Sequence, residues 1–196
     1  MTKVDALEAI HYERGRLLVL NQLLLPHVST YEIVNNVKTG FAVIRDMKVR
    51  GAPAIAIVAM LSLAVEMSDP DFHLKYQTGQ ELFKFIQSSL EFLITARPTA
   101  VNLSTAAKSL LEIVTIKAEE SLYDKEVMIQ SFIQAAEDML RTDVQNNKSI
   151  GYHGSEFLWF KCPNAHTLGL NILTHCNTGS LATGGWVCMR AYNFLL

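Results

Sequence analysis

Residues 50–67 read Arg-Gly-Ala-Pro-Ala-Ile-Ala-Ile-Val-Ala-Met-Leu-Ser-Leu-Ala-Val-Glu-Met. Gly51 interrupts the chain. Pro53 suits the first turn of a new helix, where its missing N–H is no loss. From there to about Met67 the side chains are apolar nearly all round. A helix without a polar face must be buried on several sides, so this stretch predicts a central helix with neighbours packed around it. The apolar run 52–65 is too short to span a bilayer, which takes ~20 residues.

Outward from that helix the periods differ. Residues 9–12 and 16–22 read as two short strands around Glu13-Arg14-Gly15, with glycine where a positive φ is easiest. Pro26 ends this unit. From Ser29 the apolar spacing shifts from 2 to about 3.6. Ser29-Thr30-Tyr31-Glu32 fits a capping box, which predicts a helix carrying Ile33, Val34, Val37, Phe41, Ile44 and Met47 on one face. Three more helices follow C-terminal to residues 50–67, marked by Leu82 to Ile94, by Leu103 to Val114, and by Val127 to Leu140. The last is expected to end in the polar run 143–148, with Asp143 and Lys148 as solvated helix-end charges and Gly151 closing the helical region. Residues 152–165 show no clear period, 168–174 read as a buried strand, and 175–180 read as a strand-to-loop switch. The expected class is α+β. A small antiparallel unit over residues 1–28 precedes a helical domain over 29–151, and 152–196 form the stub of a Rossmann-like α/β domain.

Composition narrows the functions. Of 196 residues, 19 are acidic and 17 basic, a formal net charge of −2. Broad electrostatic nucleic-acid binders show a basic excess, so that class is not expected. Hydrophobic residues make up 49%, enough for a sizeable core. Charged residues stand at 18%, against ~25% in a typical domain, which hints at surface covered by another domain or subunit. The three cysteines, Cys162, Cys176 and Cys188, form no CxxC pair, so neither a zinc site nor a disulfide framework is expected. The N-terminal residues resemble neither a secretory signal nor a transit peptide.

Three places carry candidate chemistry. Arg50-Gly51-Ala52-Pro53 joins a cation, a small turn and a helix N-terminus, whose free N–H groups and positive dipole end suit an anion. It reads either as a phosphate cradle or as an ordinary helix–helix turn with a surface arginine. Ala96-Arg97-Pro98-Thr99 repeats the design, so the two turns either converge on one anion or are unrelated. Cys176 follows the strand 168–174 in a glycine-containing loop. It reads as a functional thiol or as a small buried hydrophobe. His175 reads as a structural neighbour.

Residues 44–55 (Ile-Arg-Asp-Met-Lys-Val-Arg-Gly-Ala-Pro-Ala-Ile), 95–102 (Thr-Ala-Arg-Pro-Thr-Ala-Val-Asn) and 173–183 (Leu-Thr-His-Cys-Asn-Thr-Gly-Ser-Leu-Ala-Thr) resemble the signatures of the methylthioribose-1-phosphate isomerases. The opening, with Tyr12, Arg14 and Gly15, is similar to that family's start. The resemblance covers residues 6–151 and 172–184. It implies an aldose–ketose isomerisation of a phosphorylated sugar, 5-methylthioribose 1-phosphate to 5-methylthioribulose 1-phosphate, in methionine salvage. It further implies substrate binding by Arg50, Gly51, Ala52 and Arg97, and a role for Cys176 in proton movement or transition-state stabilisation. No metal or organic cofactor, no nucleic acid and no membrane partner is implied. A homodimer in the cytoplasm, with a nuclear pool as well, is. The catalytic acid, an aspartate at the ring oxygen, belongs to the family's second domain.

Residues 185–196 depart from that pattern, and 152–170 follow it only loosely. They predict a truncated product, from alternative splicing or an altered reading frame, with little or no isomerase activity. A second class of function is a non-catalytic interaction protein, related to the regulatory subunits of a translation-initiation exchange factor or pairing with a full-length isomerase.

Overall fold

A computed structural model describes residues 7–162 and 179–185. The expected strand 168–174, Cys176 with His175, Cys188 and the tail 186–196 lie outside the described residues.

A three-stranded antiparallel sheet opens the fold: β1 (Ile10–Glu13), β2 (Arg16–Leu20) and β3 (Tyr31–Val34), in that spatial order. Glu13 pairs Arg16 across a two-residue connection in which Gly15 has φ +82°, a conformation that disfavours a Cβ. Leu17, Val19 and Leu20 of β2 are fully buried, and Ile10 and Val34 join them from the flanking strands.

The third strand corrects the expected helix at Ser29. Tyr31, Ile33 and Val34 are aromatic or β-branched and favour extended backbone. They pair with Leu20, Leu18 and Leu17. Glu32 does not cap a helix. Its carboxylate accepts from Asn21 Nδ2 and Lys48 Nζ, both at 3.0 Å. The helix begins later, as α1 (Val37–Arg45). Asn36 caps it, accepting from the Thr39 N–H at 2.9 Å while Thr39 Oγ1 accepts from the Asn36 N–H at 3.2 Å.

The central helix is α2 (Ala52–Met67), with thirteen of its sixteen residues buried. Its one acidic residue serves a neighbouring helix. Glu66 Oε2 accepts the Val37 N–H at 2.8 Å, satisfying a first-turn donor of α1 that no intrahelical carbonyl reaches. Gly40 of α1 lies against Ser62 of α2, where a built Cβ would stand 2.4 Å from Ser62 Cβ. A short 3-10 turn (Phe72–Lys75) leads to α3 (Gly79–Ile94), α4 (Val101–Glu120) and α5 (Lys125–Lys161). Together α1, α3, α4, α5 and β2 enclose α2.

The length of α5 corrects a second expectation. It runs through the polar segment 143–148 and through Gly151, for 37 residues and about 55 Å. Polar residues do not themselves stop a helix, and one glycine costs only ~1 kcal/mol. Gly151 and Ser155 are buried, so packing sustains the later turns. The helix ends just before Pro163, which cannot continue it. The α+β class holds.

The hairpin is tied to α5 by charge. Arg14 donates to Glu137 through Nε (2.9 Å) and Nη2 (2.6 Å), and the Tyr12 hydroxyl donates to the same carboxylate at 2.9 Å. The Arg14 bonds hold the Glu137 carboxyl below the usual carboxylate range, although its partial burial pushes the other way. A carboxyl lowered on folding adds stability above its unfolded pKa and loses it as pH falls through its folded pKa. Glu137→Gln should therefore cost about 1 kcal/mol at pH 7. Urea melts at pH 7 and pH 3 should show that difference shrinking on acidification.

Candidate active site

The connection from α1 to α2 buries Val49 and presents Arg50 half-buried. Arg50 Nη2 donates to the backbone carbonyl of Gln22 at 3.2 Å. Its Nε is buried with no hydrogen-bond partner. Gly51 is the N-cap residue of α2, in extended backbone that any residue adopts. What requires glycine here is space, because a built Cβ would stand 2.2 Å from Ala182 Cα. Ala52 begins the helix, and no side chain caps it. Pro53 has no N–H, and Ala54 donates its own to Ala182 O at 3.1 Å. Among the described residues, the Gly51 and Ala52 N–H groups at this helix start have no acceptor.

Arg97 occupies the equivalent place between α3 and α4. It is half-buried, its carbonyl accepts the Ala100 N–H at 2.9 Å, and its Nη1 is buried without a partner. Among the described residues, Arg50 Nε and Arg97 Nη1 are the two buried side-chain polar atoms left unpaired. Leaving a buried donor unpaired costs ~1–3 kcal/mol, more when it is charged. A charged acceptor is the kind of group that such a donor can still take.

The segment 179–185, which closes the motif containing Cys176, docks on this turn. Gly179 and Gly185 both take positive φ, and Ala182 is buried. Ser180 Oγ donates to Leu7 O at 2.7 Å, Gln22 Nε2 donates to Leu181 O at 2.8 Å, and the Gly184 N–H donates to Asp143 Oδ2 at 2.7 Å. Gln22 thus touches both sides of the site, its carbonyl on Arg50 and its amide on the docked segment. The structure brings Arg50, Gly51 and Ala52 against the end of the Cys176 motif. Arg97 stands at a second turn with the same unmet need.

Two residues here were not expected. Gln22 is buried, and Asp143 is no solvated helix-end charge. Asp143 lies mid-helix and half-buried. Burial pushes its carboxyl above the usual range, and the Gly184 N–H partly offsets this. A signal for Asp143 was present: Phe132, Ala136, Met139 and Asp143 follow the i, i+4, i+7, i+11 spacing of one inward face. Among the described residues, no cluster of His, Cys, Asp and Glu could hold a metal ion, and no helix is long and apolar enough to cross a membrane.

Residues 48–193 match the model of the Initiation factor 2 subunit family. The chain belongs to that family. It is 49% identical over 186 residues to the methylthioribose-1-phosphate isomerase of Zea mays, which covers 95% of this chain and 49% of the relative. It is 47% identical over 184 residues to that of Coccidioides posadasii, covering 93% of this chain and 47% of the relative. Among solved structures, the 5-methylthioribose 1-phosphate isomerase of Pyrococcus horikoshii superposes with a TM-score of 0.77 at 29% identity, covering 97% of this chain and 51% of that one. The translation initiation factor eIF-2B subunit delta of A. fulgidus superposes with a TM-score of 0.73 at 25% identity, covering 96% of this chain and 52% of that one. The chain spans about half the length of the relatives it matches.

The docking contacts make a measurable claim. Asp143→Ala removes the acceptor for the Gly184 N–H, and amide exchange across residues 179–185 should quicken about tenfold. Asp143→Asn keeps an acceptor oxygen and should restore part of the protection. Mass-resolved hydrogen exchange would report both.

Proposed function

We propose that this chain carries the phosphate-binding part of a 5-methylthioribose 1-phosphate isomerase, the reaction that yields 5-methylthioribulose 1-phosphate in methionine salvage. The unpaired Nε of Arg50 and Nη1 of Arg97 carry this reading. Among the buried side-chain polar atoms described, the two left without a partner fall on the arginines of the motifs at residues 50–53 and 96–99. The relatives at 47–49% identity bear that enzyme name, and their substrate, by its name, is a sugar phosphate.

The chemistry fits these groups. A phosphate on the anomeric oxygen closes the sugar ring and makes opening difficult. The ester must be held while the ring oxygen is protonated and hydrogen is moved from C2 to C1. Arg50, the Gly51-Ala52 backbone and Arg97 bind the phosphate, the arginines by charge-assisted N–H···O bonds. Gly51 lets the docked segment close on the turn. Cys176 assists the proton movement, or stabilises charge that develops near C1 and C2. The acid at the ring oxygen is an aspartate in the part of the relatives that this chain does not span. The reading divides the chain into an antiparallel unit, expected over 1–28 and carried to Val34 by β3, a helical domain, expected over 29–151 and carried to Lys161 by α5, and the start of an α/β domain, expected over 152–196. It places the enzyme as a homodimer in the cytoplasm, with a nuclear pool as well, and without metal or organic cofactor.

Calorimetric titration of the 196-residue chain with inorganic phosphate and with methylthioribose 1-phosphate tests the cradle. Arg50→Ala and Arg97→Ala should each weaken both ligands by about 10–100-fold, the worth of a charge-assisted bond. Any turnover should vanish in Cys176→Ser at unchanged melting temperature. Unaltered affinity in the double arginine variant would refute the cradle. Intact binding with no turnover would point to a role in binding alone.

A further inference from the structure

Gln22 lies just past β2 and is 4% exposed. A glutamine side chain is rarely buried without a partner. Its Nε2 donates to Leu181 O at 2.8 Å. A carbonyl can only accept, so the amide nitrogen and not the oxygen faces that segment. The backbone carbonyl of Gln22 accepts from Arg50 Nη2 at 3.2 Å. Its N–H donates to Lys48 O at 2.9 Å, two residues before that arginine. The next N–H, of Leu23, donates to Asn21 Oδ1 at 3.2 Å. Among the described residues, Gln22 is the one whose hydrogen bonds reach both the Arg50 guanidinium and the docked segment.

The other fastenings of that segment have a different reach. The Ala54 N–H ties Ala182 to the first turn of α2, and Gly51 leaves room for it. Asp143 holds Gly184 from α5. Neither bond involves the guanidinium. A guanidinium is planar, with its N–H groups in a fixed fork. A bond at Nη2 therefore sets the direction of the unpaired Nε–H. That direction depends on where the Gln22 carbonyl points. Residue 22 is in a turn, outside the ladder of β2 and β3, so its carbonyl is held by the local bonds to Lys48 and Asn21 and by the side chain's grip on Leu181.

We infer that Gln22 is a positioning residue of the arginine cradle, coupling the aim of Arg50 to the docking of residues 179–185. This rests on the proposed function and adds to it a link between the two sides of the site. The docked segment holds the Gln22 amide, the fixed residue presents its carbonyl to Nη2, and Nε–H stays directed at the anion. Coupling between sites is reciprocal. An anion taken up at Arg50 tightens the segment by the same factor by which the docked segment strengthens the anion.

Amide exchange across residues 179–185, followed by mass with and without inorganic phosphate, tests the coupling. In the native chain saturating phosphate should slow that exchange about fivefold, the low end of coupling between sites. Gln22→Met keeps the length of the side chain and removes its donor. Phosphate should then slow the exchange less than twofold, and phosphate affinity by calorimetry should fall about fivefold. Asp143→Ala loosens the same segment from α5 with Gln22 intact, so exchange is faster throughout while phosphate should still slow it about fivefold. Circular-dichroism melts would verify that each variant is folded. A merely structural Gln22 would shift the baseline exchange and leave the phosphate effect in place. No slowing in the native chain, equal slowing in Gln22→Met, or unchanged phosphate affinity in that variant would overturn the coupling while leaving the cradle standing. Phosphate that binds the native chain no more tightly than it binds Arg50→Ala would refute the cradle, and the coupling with it.

Discussion

Everything described is arranged around one constraint: α2 has no face fit for water. Its side chains are apolar on every side, so four helices and a strand must enclose it. Burial of that area, at ~25 cal/mol per Å², is the main force holding the helices together. It also positions the site. A helix enclosed along its length leaves only its ends for chemistry, and its N-terminus is the end that Gly51 opens to the segment 179–185.

The two arginines carry a cost that the rest of the fold must cover. A buried guanidinium N–H without an acceptor opposes folding, yet Arg50 and Arg97 each keep one. The surrounding packing must outweigh that cost, and under the proposed function it leaves both groups in place before the phosphate arrives. Groups placed in advance do not have to be ordered when the ligand binds, so less of the binding free energy is spent on rearrangement.

The sequence made α2, its N-terminal turn and the hairpin legible, because each rests on local chemistry: unbroken apolar character, Pro53 in the first turn, Gly15 at a positive φ. What it concealed was non-local. Ser29 and Glu32 imitate a capping box, and Val34 and Val37 imitate a helical stripe. The outcome was set by pairing with β2 and by the reach of Glu32 to Asn21 and Lys48. Within the candidate site, the turns that hold Arg50, Gly51 and Arg97 could be located from their motifs. Gln22 and Asp143 could not be read so directly, since each bonds a backbone group far along the chain, 159 and 41 residues away respectively. Expecting α5 to stop at its polar run removed Asp143 from the inward stripe to which it belongs.

Glu137 and Asp143 lie on the same long helix and hold different partners, the hairpin on one side and the docked segment on the other. They stand six positions apart, about 9 Å along the axis and roughly a third of a turn in azimuth. The helix is thereby keyed on two sides and cannot roll or slide without releasing one partner. Between the two positions Met139 and Leu140 pack against the core, while the exposed side chains can vary. The number of residues cannot, because one residue inserted or removed swings one anchor by about 100°. The interval behaves as a fixed gauge, and its information lies in its length.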